Sequence, residues 1–296
     1  MAIERILVIV DPTATEHPCI EKAARIAVGL GSPIELFICD VEPADREQRR
    51  RNLLEQLSDL AAPLRERGLI VSVEYQWHAP LERGITQHVI RTKPGLVVKD
   101  AHRHSALAQS PVTQTDLMLM SLIPVPLLLV RPKTWSAHPC VSIGADPCHP
   151  ADRPETLDEN LIVTGCLLAN AMRGRVDIFH VLQTPPHLPG EPVPPLERTR
   201  AHGAAREDVE RVAAGASSLT SAMPVSFVEG AVAPGVIAHT IERQTDILVL
   251  GAAARGQWPG SAASGTAARV LEGIECDLLV LKPEGFVSPL LVTEDI

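Results

Sequence analysis

The strongest constraint on this chain is that it repeats itself, and a repeat outranks any single motif in deciding architecture. Ile6 to Val10 reads ILVIV and is followed by Asp11-Pro12; Val141 to Ala145 reads VSIGA and is followed by Asp146-Pro147. Ala79-Pro80 opens a segment carrying Ile85 and Val89, and Ala233-Pro234 opens one carrying Ile237 and Ile241. Each i, i+4 pair predicts one apolar stripe on a helix. LVVK (Leu96 to Lys99) and LVLG (Leu248 to Gly251) follow, then VPLLLVRP (Val125 to Pro132) against CDLLVLKP (Cys276 to Pro283). The order is kept throughout, so one domain is present in duplicate. The expected boundaries are 1–134 for the first copy, 139–286 for the second and 287–296 for a tail.

Within the first copy, strands expected at 6–10, 34–41, 70–77, 95–99 and 126–130 alternate with helices expected at 16–30, 46–67, 80–92 and 112–122. Near-continuous Val/Leu/Ile runs suit strands covered on both faces, which means a parallel sheet between helix layers. The predicted fold class is α/β: two tandem Rossmann-like domains, each a five-stranded parallel sheet with helices on both faces. A linker of only Lys133 to Pro139 favours domains packed together. The closing strands are apolar edges, and pairing Leu127 to Val130 antiparallel to Leu278 to Leu281 would cover both. Two segments break the symmetry. The first copy has a charged helix with Leu53, Leu57, Leu60 and Leu64 on one face and a basic run, Arg49 to Arg51, expected on the solvated face. The second has TPPHLPGEPVPPLE (Thr184 to Glu197), whose six prolines dictate an extended surface excursion.

Hydrophobic residues at 45% and charged ones at 21% mark a globular chain rather than a disordered one. No apolar run is long enough to span a bilayer, and the N-terminus lacks the features of a signal peptide, so membrane insertion is not expected and a cytoplasmic location is. Basic and acidic residues balance over 1–136, so the whole net charge of −9 falls in the remainder. An acidic second half is a poor surface for nucleic acid, whose affinity rests on neutralising phosphates. Six cysteines are scattered without a CxxC, which points to buried free thiols rather than zinc or disulfides. Cys140 and Cys148 bracket a strand end and are the one pair expected to approach each other.

Taken together, Asp-Pro after the first strand, FHV at Phe179 to Val181, LVLG, Gly-Thr opening a helix, KDAHRH (Lys99 to His104) and the closing CDLLVLKP resemble the universal stress protein family. The tandem, two-domain E-type branch is the most similar. The resemblance implies a stress-response role, the five-stranded fold above and pairing of domains through the fifth strand. It also implies, in nucleotide-binding members, a loop Gly-x2-Gly-x9-Gly-Ser/Thr after the fourth strand and an adenine contact at the aspartate after the first. The chemistry needs those glycines because backbone N–H groups must approach phosphate without a Cβ between them, and the closing helix start completes the anion site.

In the second copy that pattern leaves Asp146, Gly251, Arg255, Gly265 and Thr266 as a degenerate nucleotide site. Ala254 stands in place of the second glycine, and ten residues rather than nine separate it from Gly265. A left-handed alanine costs about 1–2 kcal/mol, so ATP binding should be weak and no cofactor required. Gly251 and Gly265 serving only turn and helix packing is the competing reading. In the first copy, Lys99 is aligned with Gly251 and His102 with Ala254, and no glycine survives; Asp11, Lys99, His102 and His104 are left to line a ligand cleft. Asp11 equally suits a cap on its own turn. His102 and His104 lack a third ligand at tight spacing, so a polar crevice beneath Trp77-His78 is favoured over a metal site. Met118 and Met120 read as core. No nucleophile elbow, zinc-helix motif, intact phosphate loop or spaced carboxylate pair occurs, so no enzyme activity is expected. The partners expected are a protein or small-molecule ligand, with an intramolecular pseudo-dimer and room for a homodimer. A nucleotide switch acting through the second copy and a carrier of a small apolar ligand remain as alternatives, the latter from the alanine-rich lining Ala252 to Ala254.

Overall fold

The computed structural model describes residues 3–41, 46–101, 113–147, 156–183, 195–215, 223–252 and 266–292. In the first half, strands β1 (Ile6–Ile9), β2 (Ile34–Asp40), β3 (Val71–Trp77), β4 (Leu96–Asp100) and β5 (Leu127–Val130) alternate with helices α1 (Pro18–Leu30), α2 (Arg46–Glu66), α3 (Leu81–Thr92) and α4 (Gln114–Leu122). The second half repeats the pattern with β6 (Cys140–Gly144), β7 (Arg175–Leu182), β8 (Val225–Glu229), β9 (Ile247–Gly251) and β10 (Asp277–Leu281), and with α5 (Thr156–Ala171), α6 (Pro195–Gly215), α7 (Val232–Glu242) and α8 (Thr266–Gly273). A final turn, α9 (Pro289–Val292), packs against α3. The segment after residue 287 is therefore anchored, through Val292, on the first half.

All ten strands lie in one sheet, ordered β3-β2-β1-β4-β5-β10-β9-β6-β7-β8. Pairing is parallel within each half and antiparallel only at the centre, where Leu129, Leu128 and Leu127 face Leu278, Leu279 and Val280. The two five-stranded sheets are thus one sheet with a seam. Residues alternate along every central strand: Ile6, Val8, Leu96, Val98, Ile247, Val249 and Leu279 face α1, α2, α5 and α6. Leu7, Ile9, Val97, Leu248, Leu278 and Val280 face α3, α4, α7 and α8. The period of two divides the Val/Leu/Ile runs between two dry layers. Leu53, Leu57 and Leu64 bury one stripe of α2, while Arg49 of the basic run turns inward to Asp40 at 2.7 Å.

Strand register fixes the internal equivalences and corrects two alignments. Ile6 pairs with Ile34 and Leu96; Val141 pairs with Val176 and Ile247. Counting on, Asp100 rather than Lys99 corresponds to Gly251, because both β1–β4 and β4–β5 pairings sit one residue from the sequence alignment. In α7 the buried residues are Gly235, Val236, His239 and Thr240, whereas Ile241 is 73% exposed. Of the expected Ile237/Ile241 stripe, Ile237 packs half-buried against the core while Ile241 does not; Val236 and Thr240 occupy the stations of Ile85 and Val89. The five described cysteines are all free and buried; Cys148 lies outside the described residues.

Among the described residues, one ion pair crosses the seam, between Lys22 and Asp277. Asp277 accepts from Lys22 Nζ at 2.8 and 2.9 Å, from the Arg131 backbone N–H at 2.7 Å and from the Trp135 indole at 2.7 Å. Burial pushes its carboxyl up to about 6 against the pull of these donors. The internal equivalents of Lys22 and Asp277 are Thr164, whose hydroxyl is buried without a partner, and Pro126.

Candidate functional site

In a doubly wound sheet the crossover direction reverses at one strand, and the helices that diverge there leave a crevice beyond the strands' carboxyl ends. Here the reversals fall between β1 and β4 in the first half and between β6 and β9 in the second. Asp11 and Asp100 close the first pair of strand ends; Asp146 and Gly251 close the second.

The first-half crevice is filled by its own side chains. Asp100 faces the α1 layer, and its Oδ1 accepts the Cys19 backbone N–H at 2.8 Å. Because α1 has no side-chain cap of its own and opens with Pro18, this carboxylate occupies the positive helix end where a bound anion would sit. Lys99 faces the opposite layer and donates to Asp116 Oδ1 and to the Asp100 carbonyl, both at 2.8 Å. Asp116, fully buried, also completes a capping box with Thr113 at the start of α4. Lys99 was expected to line a ligand cleft; it is buried and committed to an internal ion pair instead. Asp11 accepts from the Thr13 backbone N–H at 2.8 Å and hydroxyl at 2.7 Å, the turn-capping role. His102 and His104 lie outside the described residues.

The second-half crevice carries different residues at these stations. Gly251 ends β9, and Ala252 continues the ladder by donating to the Leu281 carbonyl at 2.8 Å. The Asp146 backbone N–H donates to Asp158 on the first turn of α5 at 2.9 Å, and the Asp146 side chain is a third exposed. His180 Nδ1 lies 2.8 Å from the Ala145 carbonyl and 3.8 Å from Asp146 Oδ1. Lys282, directly after β10, rests 4.8 Å above the Phe286 ring, and burial lowers its amine to about 8. Thr266 starts α8; Arg255 and Gly265 lie outside the described residues.

A model of the universal stress protein family matches residues 150–282. Proteins named universal stress protein E align over nearly the full length: that of Salmonella typhi is 25% identical over 99% of this chain and 98% of its own, and that of Escherichia coli K12 is 24% identical with the same coverage. Residues 150–282 form a domain of the universal stress protein family, and the chain as a whole is similar to universal stress protein E. Solved structures show the same fold. A protein of Pseudomonas aeruginosa UCBPP-PA14 assigned to this family superposes with a TM-score of 0.77 at 23% identity, over 99% of this chain and 97% of that one. A universal stress protein from Archaeoglobus fulgidus gives 0.66 at 14% identity, over 95% and 97%. Matches spanning both halves are what a tandem universal stress protein requires.

The sequence did not single out a duplicated buried cluster beside the crevices. Glu35 on β2 accepts from His88 Nε2 on α3 at 2.6 Å, and the imidazole stacks on Phe37 with centroids 3.9 Å apart. At the equivalent positions Asp177 on β7 accepts from His239 Nε2 on α7 at 2.7 Å, and that ring stacks on Phe179 at 4.0 Å. Arg91 donates to His88 Nδ1, which fixes the ring proton on Nε2. The hydrogen bond from His88 holds Glu35 below the usual carboxylate range. Burial works to raise Asp177, but the bonds from His239 and Ser142 outweigh it and hold that carboxyl low as well. The repeat of Glu/Asp-x-Phe on the second strand with a histidine on the third crossover helix was the available signal. Among the described residues no group of three or more His, Cys, Asp or Glu is arranged to hold a metal.

Proposed function

We propose that the chain is a stress-response binding protein without chemistry of its own, and that capacity for a ligand at the family's crevice resides in the second half alone. The supporting observation is the contrast between Asp100 and Gly251. At one station the first half carries a carboxylate bonded to a helix start; at the same station the second half carries a glycine. An anionic ligand would have to displace Asp100 from the start of α1 in the first half, whereas no carboxylate stands at the Gly251 station. With Ala254 in the loop, the added residue before Gly265 and an acidic half around them, nucleotide affinity is expected to be weak.

Calorimetric titration of ATP tests this. The intact chain should bind in the high micromolar range or weaker, no more than about 6 kcal/mol. Ala254→Gly alone should do little, while Ala254→Gly with one residue deleted between Gly256 and Ser264 should tighten binding. Submicromolar binding by the intact chain, lost on Gly265→Val, would overturn the reading, as would ATP turnover above the buffer rate. The nucleotide switch is the second reading, favoured by the partly open Asp146 carboxylate beside His180.

A further inference from the structure

A second concavity lies away from both crevices. Between the length of α1, the C-terminal end of α5 and the linker runs a groove of about 790 Å³, within the usual range for small-molecule sites and at the kind of inter-domain junction they favour. Its lining includes Lys22, Arg25, Arg67, Arg173 and Trp135, with Glu21 the one acidic side chain. Lys22 is neutralised by Asp277 and Arg67 by Glu21 at 2.8 Å. Arg25 and Arg173 are not. Arg25 donates only to the carbonyls of Ser136 and Ala137, at 2.8 and 2.5 Å, which fixes its guanidinium against the linker. Among the described residues no carboxylate lies within ion-pair reach of Arg25 or Arg173.

The repeat makes Arg173 informative. It stands where the first half has Gly31: both follow the last turn of the matching helix in left-handed conformation, at φ 52° and 69°. Glycine takes that conformation freely, whereas a side chain costs about 1–2 kcal/mol there. A guanidinium is thus held at a strained position, in a protein of net charge −9, on the rim of a groove already carrying an uncompensated arginine. Trp135 supplies a rigid wall. Its indole N–H is tied to Asp277, and its ring has Lys22 at 5.2 Å and Arg25 at 6.0 Å from the centroid.

We propose that this groove binds a metabolite-sized molecule bearing two oxyanion groups, phosphate or carboxylate, held between Arg25 and Arg173 over the Trp135 wall. Forked guanidinium donors match either oxyanion bidentately. The test uses the full chain with Trp77→Phe and Trp258→Phe, so that Trp135 is the remaining fluorophore, titrated separately with inorganic pyrophosphate and with citrate. A saturable emission change below about 1 mM with either probe is expected, and the probe that acts identifies the oxyanion. Arg173→Gly, which installs the residue the first half uses there, should keep the fold and weaken binding about tenfold or more. Gly265→Val should leave the response unchanged, because the groove shares no residue with the second-half loop. A response no larger than that of sodium chloride at matched ionic strength, no saturation with either probe, or full retention in Arg173→Gly would overturn the proposal.

Discussion

Lys99 shows how much one residue of register decides. Aligned on sequence, it fell at the glycine station and pointed into a cleft; one step along the strand, it faces α4 and Asp116 while its neighbour Asp100 takes the crevice. A strand's side chains alternate faces, so a one-residue slip exchanges the two roles completely. The alternation LVVKD carried no apolar landmark to set that step, since Val97 and Val98 are both buried. Removing the amine isolates a buried carboxylate. Lys99→Met should therefore destabilise the chain by about 3 kcal/mol, and Lys99→Met with Asp116→Leu by much less, because breaking a buried pair costs more than replacing it. Urea unfolding of the three chains reads this directly. Cysteine chemistry was legible from spacing alone. Burial raises Cys39 and Cys276 to about 12 and moves Cys19, Cys140 and Cys166 upward too. Iodoacetamide at pH 8 should label none of these five in the native chain, as peptide mass mapping would show.

Strands and helices were read from the sequence to within two residues in the first half, because Val/Leu/Ile runs bounded by Gly, Pro and Asp leave little choice. The rotation of α7 was not. Ile237 and Ile241 look like the buried pair, but Ile241 is exposed and His239 takes the inward station, since Asp177 on β7 satisfies it there. A buried histidine with a carboxylate partner is invisible to a pattern that counts apolar residues. The two acid–histidine pairs tie α3 to β2 and α7 to β7, and their pH dependence has a definite sign. Glu35 and Asp177 are held below their ordinary values, so the stability they contribute is complete above the ordinary carboxylate range and lost as pH falls through the depressed one. His88→Leu and His239→Leu should each lose about 2 kcal/mol at neutral pH, the scale of a hydrogen bond to a charged group, and shift the acid-unfolding midpoint upward. Circular dichroism against pH settles it; an unchanged or lowered midpoint would mean the imidazoles only fill space.

The duplication was plain in the sequence, and so was the fifth strand as the place where the copies meet. What could not be read was that the meeting is lopsided, since the contact of Lys22 with Asp277 spans most of the chain. Asp277→Ala leaves that lysine buried without its anion and should destabilise the chain by about 3–5 kcal/mol. Cleavage between Lys133 and Ala137 should leave the halves co-eluting on gel filtration, held by the leucine seam and by the Lys22 pair. Two separate, soluble monomers would show that the seam depends on the tether.

That tether changes how the molecule can vary. In a symmetric dimer of identical chains every substitution appears twice, and each new contact must be tolerated on both sides of the axis. Two halves joined by a short covalent connection meet at an effective concentration in the millimolar range, so their interface holds even where individual contacts are lost. Each half is then free to drift alone. Lysine opposite aspartate on one side and threonine opposite proline on the other, an arginine where the other copy keeps glycine, and an aspartate bonded to a helix start at the station where the other copy has glycine are all changes that a symmetric pair would have had to accept in duplicate.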